Sequence, residues 1–354
     1  MKKIRKILLI ILTLLIVYLL FWPLDLKPIA RKTPPYPGLI GVFETNKKLS
    51  NVNLITLPHP GPEAVVQDSL GYLYSGLENG DIIQYDLKGE NIRFIANTGG
   101  RPLGMKFAPS GELIIADISK GLIALDSSGD FRVLVDTFEG EKLLFVDDLD
   151  ITNDGIIYFS NASQRTDGVV ENEAWEQRAS GALFSYNMNT NKLALLKDDL
   201  FFANGIALNQ TEEYFVFSET FGLSLYKYWI KGKKKGEIEL FNNSLPGYPD
   251  NVTHYDGIFW VGIPSQRAVA AEPLFEYPFL RSIILRLPEF VRNSAIPPRY
   301  AMILGFDENG KVVYNLQDPG GKYDYITSGL QVGNTLYLGS LKEPSLAIYS
   351  LDNE

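Results

Sequence analysis

The chain reads as all-β: a six-bladed β-propeller over residues 39–354, an N-terminal transmembrane helix, and a helical insertion in the fifth blade. Three observations predict this. Paired strand signatures recur six times at intervals of about 40 residues, the period of a four-stranded blade. Tyr (19) and Phe (20) are abundant and Gly (31) and Pro (20) punctuate them, which suits many short strands joined by turns. One long apolar run stands apart at the N-terminus.

That run, Ile7–Trp22, follows Lys2, Lys3, Arg5 and Lys6. Alone it falls slightly short of a bilayer core of about 30 Å, and counted to Leu26 it nearly spans it. Residues 1–26 are therefore read as a single-pass membrane anchor. The basic start keeps the N-terminus cytoplasmic and sends the propeller to the periplasmic or other extracytoplasmic side. A cleaved signal peptide is the competing reading, but the apolar stretch is long for one and Pro28-Ile29-Ala30 is a poor cleavage site. Residues 27–38, rich in proline, read as a stiff stalk.

The body opens with 39–57, a strand-like stretch that could supply the missing strand of blade six and close the ring. Each blade then shows two signatures. A turn followed by an alternating strand occurs at Asp68–Gly76, Pro109–Asp117, Thr152–Ser160, Asn209–Glu219, His254–Gly262 and Val332–Ser340. A second alternating strand, often closed by Asp, occurs at Asp81–Asp86, Gly121–Asp126, Gly181–Tyr186, Gly222–Trp229, Met302–Asp307 and Ser345–Leu351. The period of two argues strand over helix. Two intervals are long. Residues 163–180 interrupt the third unit and 264–300 the fifth, where apolar residues recur at helical spacing. Loops of that size usually serve a function, and both are read as lids beside the channel. Residues 279–291, apolar and basic, suit either a membrane surface or the propeller face.

The formal charge of −9, with no basic block beyond Lys231–Lys235, argues against nucleic-acid binding. The chain has no cysteine, which excludes disulfides, thiolate catalysis and Cys-ligated zinc. Its two histidines, His59 and His254, are too few for a His-rich metal site. No Gly-x-Ser-x-Gly elbow occurs, which disfavours a serine triad.

Polar residues at the head of a blade's innermost strand point into the central channel of a propeller. Four such heads stand out: Glu63 before Ala64-Val65, Asp147 and Asp148 before Leu149, Asn204 before Gly205-Ile206, and Asp250-Asn251 before Val252. A ring of carboxylate and amide oxygens from separate blades suits a hard cation, Ca2+ or another divalent ion. Crowding the carboxylates together without one would be costly.

These segments, with Gly100–Gly104 (GRPLG), Phe145–Leu149 (FVDDL), Ile157–Ser163 (IYFSNAS), Phe202–Gly205 (FANG), Ser218–Thr220 (SET) and Leu245–Asn251 (LPGYPDN), resemble the strictosidine synthase-like family over nearly the whole chain. The resemblance implies a six-bladed propeller related to paraoxonases and gluconolactonases, in which a channel calcium polarises the substrate carbonyl. It places Glu63, Asp147, Asn204, Asp250 and Asn251 at ligand-like positions. Asp147 stands where paraoxonases commonly carry Asn. The histidine pair of paraoxonases has no counterpart in the Arg101–Gly104 turn. The glutamate of true strictosidine synthase has none at Ile326-Thr327-Ser328, which makes alkaloid condensation improbable. Asp324 is near but out of register.

Two classes of function follow. One is a membrane-anchored, metal-dependent hydrolase of small esters or lactones, with Asp148, Asp250 or His254 as base. The other is a non-catalytic binding propeller with a structural metal.

Overall fold

The computed structural model describes residues 1–165, 170–292 and 297–353. Its described residues form six four-stranded antiparallel sheets, in chain order around the ring. The innermost strands are Val65–Gln67, Pro102–Phe107, Val146–Ile151, Ala203–Leu208, Val252–Tyr255 and Ile326–Val332 for blades one to six. Five blades are contiguous in sequence. The sixth takes its outer strand from the start of the body, where Asn53–Thr56 pairs antiparallel with Ser345–Ser350, Asn53 opposite Ile348. The ring is thus closed by backbone hydrogen bonds between the two ends of the propeller.

The recurrent Asp of the strand signatures has a local cause. Asp86 Oδ1 accepts the backbone N–H groups of Lys88 and Glu90, both at 2.9 Å. Asp126 does the same for Ser128 and Asp130 at 2.8 and 3.0 Å. Asp307 repeats it for Asn309 and Lys311, both at 2.9 Å. One side chain thereby satisfies the turn that links two strands.

The apolar core is divided into six clusters, one at each blade–blade contact. Trp260 and Ile303 of blade five meet Ile326 and Leu336 of blade six. Tyr158 and Leu183 of blade three meet Ile206 and Phe215 of blade four. Both faces of most blades are therefore apolar, which explains why strands such as Leu113–Asp117 are buried at every position.

A second compact unit combines residues 1–33 with parts of both insertions, around 170–178 and 268–292. It contains α1 (Lys2–Phe21), α2 (Val170–Glu176), α3 (Pro278–Ile284) and α4 (Glu289–Arg292). Among the described residues α1 is the one helix long and apolar enough to cross a membrane, and none of it is buried. The segment read as a stalk is bonded along its length: Ile29 N donates to Glu176 O at 2.9 Å and Arg31 N to Phe275 O at 3.0 Å. Arg281, fully buried, donates to the carbonyls of Ile29, Trp175 and Phe275 and so joins all three segments. The insertions read as lids at 163–180 and 264–300 contribute these helices; their stretches 166–169 and 293–296 lie outside the described residues.

Candidate metal centre

The inner strands are not regular where the polar heads sit. In blade three, Val146 pairs with Asn161 and Leu149 with Phe159, so Asp147 and Asp148 together oppose the single residue Ser160. In blade four, Asn204 and Gly205 oppose Ser218 in the same way. Blade two repeats the shift at Leu103-Gly104 and blade six at Thr327-Ser328. Each is a β-bulge, an extra residue that re-aims its neighbours. The opposed serines satisfy the displaced backbone: Ser160 Oγ accepts from Asp148 N at 3.1 Å, and Ser218 Oγ from Gly205 N at 2.8 Å. Ser218 then donates to Asp250 O at 2.7 Å. Gly205 is required here, since a methyl at its Cα would meet Val252 N and lie 2.6 Å from Asn251 Cα.

Glu63, Asp147, Asn204, Asp250 and Asn251 are all buried. Asn251 Nδ2 lies 3.5 Å from Glu63 Oε1. Thr327 and Ser328 both donate to the main-chain carbonyl of Glu63 at 2.6 Å, and so hold the backbone that carries this carboxylate. Arg101 donates to Gly61 O at 3.0 Å, and its charge opposes that of Glu63. Burial first and Asp250 second push the Glu63 carboxyl well above its ordinary range, with Arg101 pulling it back. Burial and then Glu63, Asp250 and Asp148 push Asp147 the same way. Burial raises Asp250 to about 7, against a hydrogen bond from Asn204 and with a further rise from Asp148.

Four oxygens at this place, Glu63 Oε2, Asp147 Oδ1, Asn204 Oδ1 and Asn251 Oδ1, are buried without a hydrogen-bond partner. All four are acceptors, and a cation, a proton on a carboxylate or a donor such as water could satisfy them. No three Asp, Glu or His side chains form a closed ligand cluster among the described residues. A cation here would be shared between carboxylates and amides, a donor set that fits a hard, flexible ion.

Asp148 and His254 are placed differently. Both Asp148 oxygens accept backbone N–H groups, Oδ1 from Leu149 and Oδ2 from Ile206 of the next blade, each at 2.9 Å. Asp150 repeats the link two residues on, accepting from Ile151 at 2.8 Å and from Leu208 at 2.9 Å. Lys106 Nζ of blade two reaches Asp150 Oδ1 at 2.9 Å. Burial raises Asp148 to about 7 against those backbone bonds. His254 lines a cavity of about 170 Å³ with Lys106, Asp150 and Gln67, and Asp148 and Asn251 line the same cavity. Its ring packs on Phe259 with centroids 4.5 Å apart, its Nε2 has no partner, and burial holds it below the ordinary histidine pKa. The charges acting on it are those of Glu308, Asp150, Lys106 and Asp256, not those of the donor group. Asp324 is held by Arg299 at 2.9 Å.

A family profile described as strictosidine synthase matches residues 147–233, and one for the N-terminal part of strictosidine synthase-like proteins matches 41–85. Protein STRICTOSIDINE SYNTHASE-LIKE 13 of Arabidopsis thaliana is 33% identical over 340 residues, covering 84% of this chain and 83% of its own. This chain belongs to the strictosidine synthase-like family. Another relative is the adipocyte plasma membrane-associated protein of Rattus norvegicus, 30% identical over 360 residues, covering 94% of both chains. Among solved structures, a gluconolactonase from Xanthomonas campestris superposes with a TM-score of 0.62 at 14% identity, over 92% of this chain and 97% of its own. Regucalcin, a calcium-binding protein of Agrobacterium tumefaciens, gives 0.58 at 13%, over 83% and 90%. At such identities the likeness is one of fold. Within the strictosidine synthase-like frame, the profile match begins at Asp147 and includes the bulges of blades three and four.

Proposed function

We propose that this chain is a membrane-anchored, metal-dependent hydrolase of small esters or lactones. The observation that carries the reading is the set of four partnerless acceptor oxygens contributed by four blades. Glu63, Asp147, Asn204, Asp250 and Asn251 would hold the ion, Ca2+ by the chemistry of the donors. The propeller neighbours described as gluconolactonase and calcium-binding protein support the same choice. When bound, the ion would supply Lewis acidity toward a carbonyl and the oxyanion that develops from it.

The residues divide the remaining work. Asp250, a buried carboxylate within the donor group, would take a proton from water and return it to a leaving alcohol. Asp148 has both oxygens committed to backbone N–H groups and acts as a positioning residue. His254 lines a cavity that also reaches Asn251 but is not one of the donors, so Asp250 is taken as the base. Arg101 opposes the charge of Glu63 and limits repulsion around the donors. Condensation to an alkaloid is not proposed, since Thr327 and Ser328 stand where that reaction's carboxylate would be expected. The basic N-terminal flank supports a cytoplasmic N-terminus with the propeller on the other side of the membrane.

The test is hydrolysis of aryl acetates and lactones by the purified full-length chain, with and without a calcium chelator. Turnover that chelation and Asp147→Ala both abolish supports the reading. Activity that survives chelation and Asp250→Ala overturns the metal mechanism. No turnover on any ester, alongside tight cation binding, would mark a non-catalytic binding propeller.

A further inference from the structure

The helical unit leaves a group of large apolar side chains unused. Its own packing buries Phe275, Arg281 and Leu285. On the other side Tyr277, Phe279, Leu280 and Phe290 stay 58%, 64%, 42% and 78% exposed. They lie immediately before α3, within it, and on α4. Aromatic residues exposed in this density on short helices are unusual on a water-facing surface.

What covers them is indicated by where α3 is tied. Arg286, just beyond α3, donates from Nε to Trp22 O at 2.8 Å. Tyr18 Oη of α1 donates to Arg286 O at 3.1 Å. The C-terminal end of α3 is therefore pinned to the last turn of α1, where the Tyr18 and Trp22 rings meet at a tilt of 44° with centroids 5.4 Å apart. In a spanning helix of this length, the turn carrying Tyr18 and Trp22 lies at the membrane–water interface. A helix pinned there cannot be far from the headgroups.

We infer that α3 and α4 form an interfacial foot, seating Tyr277, Phe279, Leu280 and Phe290 at the headgroup–acyl boundary of the leaflet that α1 reaches with Trp22. The occupant of this face is lipid. Arg286 ties the foot to the end of α1, and the buried Arg281, bonded to Ile29, Trp175 and Phe275, fastens it to the segment that follows the anchor. The inference rests on α1 lying in a bilayer.

Because the chain has no cysteine, single-cysteine variants can carry an environment-sensitive fluorophore at one site each. Phe279→Cys and Phe290→Cys report the foot, Leu12→Cys reports α1, and Lys233→Cys reports an exposed hairpin of the propeller. The full-length chain is placed in vesicles of equal parts phosphatidylcholine and phosphatidylglycerol containing doxyl-labelled lipid. Quenching by doxyl lipid severalfold stronger at 279 and 290 than at 233, with iodide access reduced, supports the foot. Quenching at 12 with 279 and 290 as iodide-accessible as 233 overturns the foot and leaves the anchor standing. Shielding of 279 and 290 from both quenchers would mean a protein covers them, which also overturns it. Absence of lipid quenching at 12 removes the anchor and the foot together.

Discussion

Asp147 and Asp148 are adjacent acids with opposite surroundings. The bulge leaves one Asp147 oxygen partnerless among other acids, while Asp148 accepts two backbone N–H groups and ties blade three to blade four. Their variants should therefore part. Asp147→Asn removes a like charge, so it should raise the urea midpoint of the metal-free protein and weaken calcium binding. Asp148→Asn turns a donor toward one of two N–H groups and should lower stability by about 1–3 kcal/mol. The pH response follows from the same burial. Asp148 and Asp250 titrate at about 7 in the folded protein and near the ordinary carboxylate value when unfolded. The folded state then binds more protons than the unfolded state between those values. In chelator, the thermal stability these groups contribute should be full below about pH 4 and should be lost as pH rises from there through about 7. Calcium should reverse the slope, because ligands bind it deprotonated.

At the scale of strands, the blades were legible because their signals are local. Period-2 alternation and an Asp at the turn are set by residues a few positions apart, and both appear as the sequence implies. The donor heads were visible too, as polar residues breaking into apolar runs. The bulges were not, because an extra residue in a strand reads as a lapse in alternation. The links from Asp148 to Ile206 and from Asp150 to Leu208 span 58 residues each, and no local pattern reports them. Ser160 and Ser218 do leave a trace in the sequence, each the last but one residue of its strand, one blade apart, in Tyr-Phe-Ser and Val-Phe-Ser. Gly205→Ala should cost about 1–3 kcal/mol through overpacking against Asn251 and Val252, read by chemical denaturation. Replacing both Leu54 and Ile55 by proline removes ladder donors opposite Ala347 and Leu346. That should lower the melting temperature by several degrees and open blade six to proteolysis.

The whole chain is two compact units. The propeller distributes its core over six contacts between blades, so each blade is stabilised by both neighbours and the ring depends on its closing strand. The helical unit draws on the N-terminus and on both insertions, and Arg281 bonds to each. Helical spacing at 278–284 was readable, but its association with residues near 29 and 175 was not, since an apolar pattern names no partner. The membrane reading rests on α1, the hydrolase reading on the channel donors, and the channel is the more decisive of the two. Calcium titration of the full-length protein by calorimetry tests it most directly. The protein should bind a single ion per chain, more weakly after Asp147→Asn and not at all after Glu63→Gln or Asp250→Ala. Absence of divalent-cation binding, or binding untouched by all three substitutions, would contradict it.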